Sequence, residues 1–289
     1  MLVWFVLAAA SVIFVVWDSI TNAPTSWVQR VAWILVVGYT GVVGLVLYLL
    51  TCRRPYPGAH DAFTRATWKQ SANSEIHCLA GDATGIVIAA SIVPTLGLAN
   101  GWDATIEYVA GFICGLFIFQ ALMMLNMYQG NYLKAVRKTF FAETVSMNMV
   151  MGGMIPTMVV LTSAWPESEN PMSLAFWFRM GLATIVGGVL AYPVNYWLVR
   201  NHLKHGCMTL PGRDGPAPCL GHCSAEGLST TIGKMPVSVL DHSPREGHEG
   251  HGMKMRTLAL PVASAWVAGT FAFLLLAILV TDRFVPLNF

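Results

Sequence analysis

Charge is the scarcest thing in this chain. Only 11% of its 289 residues are Asp, Glu, Lys or Arg, against about 25% in an ordinary soluble domain. The net charge of +2 is too small for a nucleic-acid-binding surface. Six cysteines are too sparse for a disulfide scaffold. No Lys or Arg precedes the apolar run 1–17, which makes it a poor signal peptide and a short first membrane helix instead. The chain carries no phosphate-binding loop and no zinc-protease motif.

Apolar residues are what it has. They make up 55% of the chain, and the mean hydropathy is +0.57. Apolar runs long enough for a bilayer core predict an all-α polytopic membrane protein of about seven spans. These lie near residues 1–17, 31–50, 75–98, 104–127, 140–162, 174–199 and 258–280. The corresponding organisation is two N-terminal spans over 1–61 and a four-helix core over 62–205. A flexible Cys/His/Met-rich loop covers 206–257, and a C-terminal span covers 258–289.

Loop charge gives an orientation. Arg53, Arg54, Arg65 and Lys69 fall in one loop, Lys134, Arg137 and Lys138 in another, and seven basic residues from Arg200 to Arg256 in a third. The alternate loops carry Asp18, Asp103, Glu107, Glu167 and Glu169 instead. The positive-inside rule then places the amino terminus and the basic loops in the cytoplasm and the carboxyl terminus outside. Trp17, Trp27, Trp102, Trp165 and Trp177 fall where an outer aromatic belt would sit. The expected location is the bacterial cytoplasmic (inner) membrane. The expected partners are the lipid bilayer, a metal ion and no nucleic acid, with a homo-oligomer or a larger membrane complex as the assembly.

Ionisable residues inside a span are costly and mark functional sites. Cys78 and Asp82 are four apart and share a helix face; Glu143 lies about one turn into a later span. His77 flanks the first pair. Gln120 and Asn195 end two further spans at the same level, where they can orient the ligands. Met147, Met151, Met154 and Met158 continue the Glu143 face as a thioether stripe, which suits Cu(I) and is equally ordinary core packing. The long loop adds Cys219, His222, Cys223, His248 and His251, soft and borderline ligands concentrated in one segment. Asp82 is followed by Val93-Pro94-Thr95 and Glu143 by Ile155-Pro156-Thr157, a faint sign of internal duplication.

The pattern Trp68, His77-Cys78 with Gly81-Asp82, the Glu143–Met147 helix, Tyr192–Trp197 and Lys204-His205-Gly206 resembles a family of prokaryotic integral-membrane proteins known as a domain of unknown function. The resemblance spans roughly Ala62 to Met208. It implies a multi-helix membrane domain and no settled activity. The residues themselves favour transition-metal handling, by transport or by binding, with copper first and zinc or iron behind. Cys78, Asp82 and Glu143 would be the primary ligands and His77, Met147 and Met151 auxiliary ones. The alternatives are an accessory or assembly subunit whose polar layer is structural, and a membrane redox enzyme.

Overall fold

A computed structural model of the chain describes residues 1–97, 100–125, 127–206, 209 and 256–286, with no β-strand among them. Its helices are α1 (Leu2–Thr21), α2 (Trp27–Thr40), α3 (Val42–Thr51), α4 (His60–Thr64), α5 (Thr67–Ile92), α6 (Asn100–Ile113), α7 (Ala121–Met124), α8 (Tyr132–Ala164), α9 (Leu174–Arg200) and α10 (Leu260–Phe284). A π-helical segment, Cys114–Gln120, joins α6 to α7 into one rod. Among the described residues, six helices are long and apolar enough to cross a membrane: α1, α5, the α6–α7 rod, α8, α9 and α10. The described residues are therefore all-α and built on helices of membrane-crossing length and apolarity. Helix α5 is the centre of the bundle, with 78% of its apolar window buried against 11% for α10 at the edge.

Local chemistry sets the helix ends. Asn131 Oδ1 accepts from the Lys134 amide at 3.0 Å, so α8 begins a full two turns before its apolar stretch. Ser173 caps α9 in the same way through the Phe176 amide. Helix α5 stops at Ile92 and tightens into a 3₁₀ turn, Val93–Leu96, around Pro94, which has no N–H to continue the ladder. Pro156, by contrast, sits inside α8. The two prolines act differently, and the duplication suggested by the sequence does not extend to them.

The expected second span, 31–50, is not one helix. It breaks at Gly41, whose φ of +58° is cheap only for glycine, and α3 folds back along α2. The Trp33 and Tyr48 rings lie 5.4 Å apart although 15 residues separate them, a distance of about 22 Å along a straight helix. Asn73 on α5 ties the two arms together. Its amide donates to the Thr51 carbonyl at 2.9 Å, and its Oδ1 accepts from Trp33 Nε1 at 3.3 Å. Neither arm crosses the bundle alone. Such a re-entrant hairpin is tolerated at membrane depth where protein covers its backbone polar groups.

This hairpin reverses α1 relative to the expectation. Asp18, near the end of α1, accepts from Tyr48 at 2.8 Å and pairs with Arg53 at 3.0 Å. The end of α1 therefore sits with the basic loops, not opposite them. Trp4, near its start, contacts Phe178, which also contacts Trp165 at the other end of the bundle. The amino terminus lies at the end of the bundle opposite the basic loops, whereas the sequence reading put the two on one side. The same geometry puts Trp17 and Trp27 at the basic end, both exposed, while Trp102, Trp165 and Trp177 are at the far end.

Candidate functional site: a buried thiol, carboxyl and ammonium cluster

Helix α5 presents Cys78 and Asp82 on one face, toward the π-helical segment and α8. Both side chains and Glu143 are 0% exposed. The Cys78 thiol donates to Glu143 Oε2 at 2.8 Å. Gln120, the last residue of the π segment, donates to Cys78 Sγ at 2.8 Å and to Glu143 Oε2 at 2.9 Å. Asn195 on α9 is buried alongside, and its amide donates to Ser146 Oγ at 3.0 Å. The four helices expected to converge do so; Gln120 touches Cys78 and Glu143 directly, whereas Asn195 contacts Ser146, the Ala191 carbonyl and Lys204 rather than Cys78, Asp82 or Glu143.

Lys204 is the residue the sequence reading missed. Its ammonium donates to Cys78 Sγ at 2.8 Å and to Asn195 Oδ1 at 2.5 Å. The chain delivers it by a sharp reversal after α9. His202 takes a left-handed φ of +58°, the Leu203 amide returns to the Leu198 carbonyl at 2.9 Å, and the Leu203 side chain packs on Ala142 and Leu198. With Leu203 anchored, the next side chain can point only back into the bundle. Burial pushes the Lys204 ammonium down, the Cys78 sulfur and the Glu143 carboxyl facing it push it up, and the net displacement is upward. The ammonium therefore stays charged at neutral pH. His205, beside it, is held below the ordinary histidine value by burial.

The cluster is not fully satisfied. Both oxygens of Asp82 and Oε1 of Glu143 have no polar partner beyond each other's carboxyl group, and both ring nitrogens of His77 are buried without a hydrogen-bond partner. Buried polar atoms are rarely left this way unless something else occupies them. A Cβ built on Gly115 would collide with both Asp82 Oδ1 and Glu143 Oε1, so these two oxygens meet across a bare backbone. The approach is possible because α5 also has glycine there: a Cβ on Gly81 would lie 2.5 Å from the Gly115 Cα. π-helical segments often mark functional positions, and this one places Gly115 and Gln120 against the acids. Gly115→Ala should therefore displace both carboxyl groups and cost about 1–3 kcal/mol through overpacking. An unchanged melting temperature for this variant in detergent would contradict the geometry.

The other predicted ligands divide. Met147 is fully buried, and a Cβ added at Gly111 would meet its methyl, Ile86 and the Asp82 backbone carbonyl. Met151 is fully buried in the main apolar core. His77 is buried next to Cys78 in sequence, within electrostatic reach of Lys204 and His205. Cys219, His222, Cys223, His248 and His251 lie outside the described residues. Among the described residues, no group of three or more His, Cys, Asp or Glu side chains is preformed as a metal cage. The methionine stripe does lead somewhere: Met158 lines a cavity of about 470 Å³ at the far end, together with Asp103, Glu107, Glu169 and Arg179.

Residues 67–204, from the start of α5 through Lys204, match the profile of a domain of unknown function, DUF4396. No curated protein and no solved structure matches the chain. The matched segment takes in every member of the buried cluster and leaves out α1, the hairpin and α10.

Proposed function

We propose that this chain, whose residues 67–204 match the domain of unknown function DUF4396, handles a transition-metal ion inside the bacterial inner membrane. Copper(I) is the first candidate, with zinc or iron behind. Cys78, Asp82 and Glu143 bind the ion, and Met147 lies beside them. The observation that carries this reading is the pair of carboxyl groups, three of whose oxygens have no polar partner beyond one another, next to a thiol, all three side chains fully buried. A cation answers the unmet need of those oxygens, and a sulfur donor favours a soft one. Lys204 already supplies one positive charge to the cluster, so an incoming metal must compete with its ammonium. The stripe from Met147 to Met158 offers thioethers between this site and the far-end cavity, which suits transport rather than storage.

The contact of Lys204 with Cys78 and Asn195 also favours a second reading. In it the cluster is a charge-balanced polar layer that fixes helix packing in an accessory subunit or within a homo-oligomer. Element analysis of the purified protein separates the two. A copper, zinc or iron content near one per chain that disappears in Asp82→Asn supports the first; a metal-free wild type, loaded or not, supports the second.

The orientation belongs to the same proposal. The basic end faces the cytoplasm by the positive-inside rule, so both the start of α1 and the end of α10 face outward. In whole cells, a Val3→Cys variant should react with a membrane-impermeant maleimide. Labelling only after the cells are opened would restore the cytoplasmic amino terminus.

A further inference from the structure

A second cavity, apart from the Cys78 cluster, lies between the α2–α3 hairpin and helices α5 and α9, with a volume of about 240 Å³. Val43, Leu47 and Val189 line it and are exposed, so it opens on the apolar flank that the bundle turns toward lipid. Glu75 also lines it. This side chain is only 5% exposed, and its Oε1 has no hydrogen-bond partner. Gly188 leaves the space over the carboxyl free: a Cβ built there would sit 3.5 Å from Glu75 Oε1 and 3.3 Å from Leu79 Cδ2.

The other polar groups of the groove are already engaged. The Thr40 and Thr184 hydroxyls donate to carbonyls of their own helices at 2.6 and 2.7 Å. The Tyr192 hydroxyl donates to the Trp68 carbonyl at 3.2 Å. Glu75 is left with unused bonding capacity at the base of an otherwise apolar slot. A buried polar group in that position calls for a partner.

We infer that this groove binds a membrane-dissolved amphiphile with a slim apolar body and a neutral hydroxyl head, which donates its O–H to Glu75. The lining excludes the commoner membrane amphiphiles. No Lys or Arg lines the groove, and Lys204, the ammonium within electrostatic reach of Glu75, is committed to Cys78 and Asn195, so a phosphate has no free counter-charge there. A primary ammonium would find one acceptor and otherwise hydrocarbon, too little to replace its water. A hydroxyl needs only one acceptor. The inference is independent of the proposed metal chemistry.

The test uses the full chain in detergent micelles and two probes of the same body: a short-chain alkyl hydroquinone and its dimethyl ether. Equilibrium dialysis should show saturable hydroquinone binding near one per chain, and binding of the ether at least tenfold weaker. Glu75→Leu should weaken hydroquinone binding at least tenfold while the protein melts as a folded species. Gly188→Leu, which fills the slot and keeps the carboxyl, should abolish it. Equal binding of hydroquinone and ether, or unchanged binding in Glu75→Leu, would overturn the inference. So would stronger displacement of the probe by a short-chain phosphatidylethanolamine than by unlabelled hydroquinone.

Discussion

Asp82→Asn and Glu143→Gln should each weaken metal binding at least 100-fold, about 3 kcal/mol, while leaving the fold in place. The reasoning starts from the two oxygens that meet over Gly115. A metal ion binds carboxyl and thiol ligands in their deprotonated forms, so binding releases protons and tightens as pH rises. An amide of the same shape removes one charge and one strong donor without opening a cavity, and it has no unpaired charge to bury. The substitutions should therefore move the melting temperature little and flatten the pH dependence of affinity. Titrating copper(I), under reducing conditions, into wild type and both variants at several pH values reads this directly. Wild-type affinity in both variants would remove the acids from the site. A large loss of stability with no metal bound by the wild type would assign them to packing.

How much of this was legible in the sequence follows from where each residue lies. Cys78, Asp82 and Glu143 stood out because an ionisable group in an apolar run has few cheap explanations. Their common depth followed from counting turns, and the helices place them in contact. Lys204 could not be found that way. It falls four residues past the end of α9, in a loop where basic residues are expected to face water, and only the Leu203 anchor and the His202 reversal turn it inward. The hairpin was hidden for a different reason. Residues 31–50 have the length and apolarity of a span, and glycine is common inside such helices. What folds α3 back is tertiary: Asn73 holding both arms and Asp18 holding Tyr48 and Arg53. Asp18 was read as an acid of the far loop because loops alternate when every apolar run crosses. One run that does not cross moves everything before it to the opposite side.

Lys204→Met should do two opposite things at once. Without metal it should destabilise the protein by roughly 3–5 kcal/mol, the usual cost of removing one partner from a buried charged contact. The ammonium is 5% exposed and holds two acceptors on two helices, Cys78 on α5 and Asn195 on α9. With metal it should bind about tenfold more tightly than wild type, because the competing cation has gone. The folded-state value of Lys204 is raised above its ordinary 10.5. Its contribution is therefore complete below that value and is lost as pH rises through the folded-state value. The gap in melting temperature between wild type and variant should hold at neutral pH and narrow only above about 10.5. Lys204→Arg keeps the charge and should lose less stability without gaining affinity. The diagnostic result is the pair of signs, stability down and affinity up, in one variant. If stability falls and no metal binds to either protein, Lys204 is a structural tether and the polar layer reading stands. If affinity falls along with stability, the ammonium supports the site and does not compete for it.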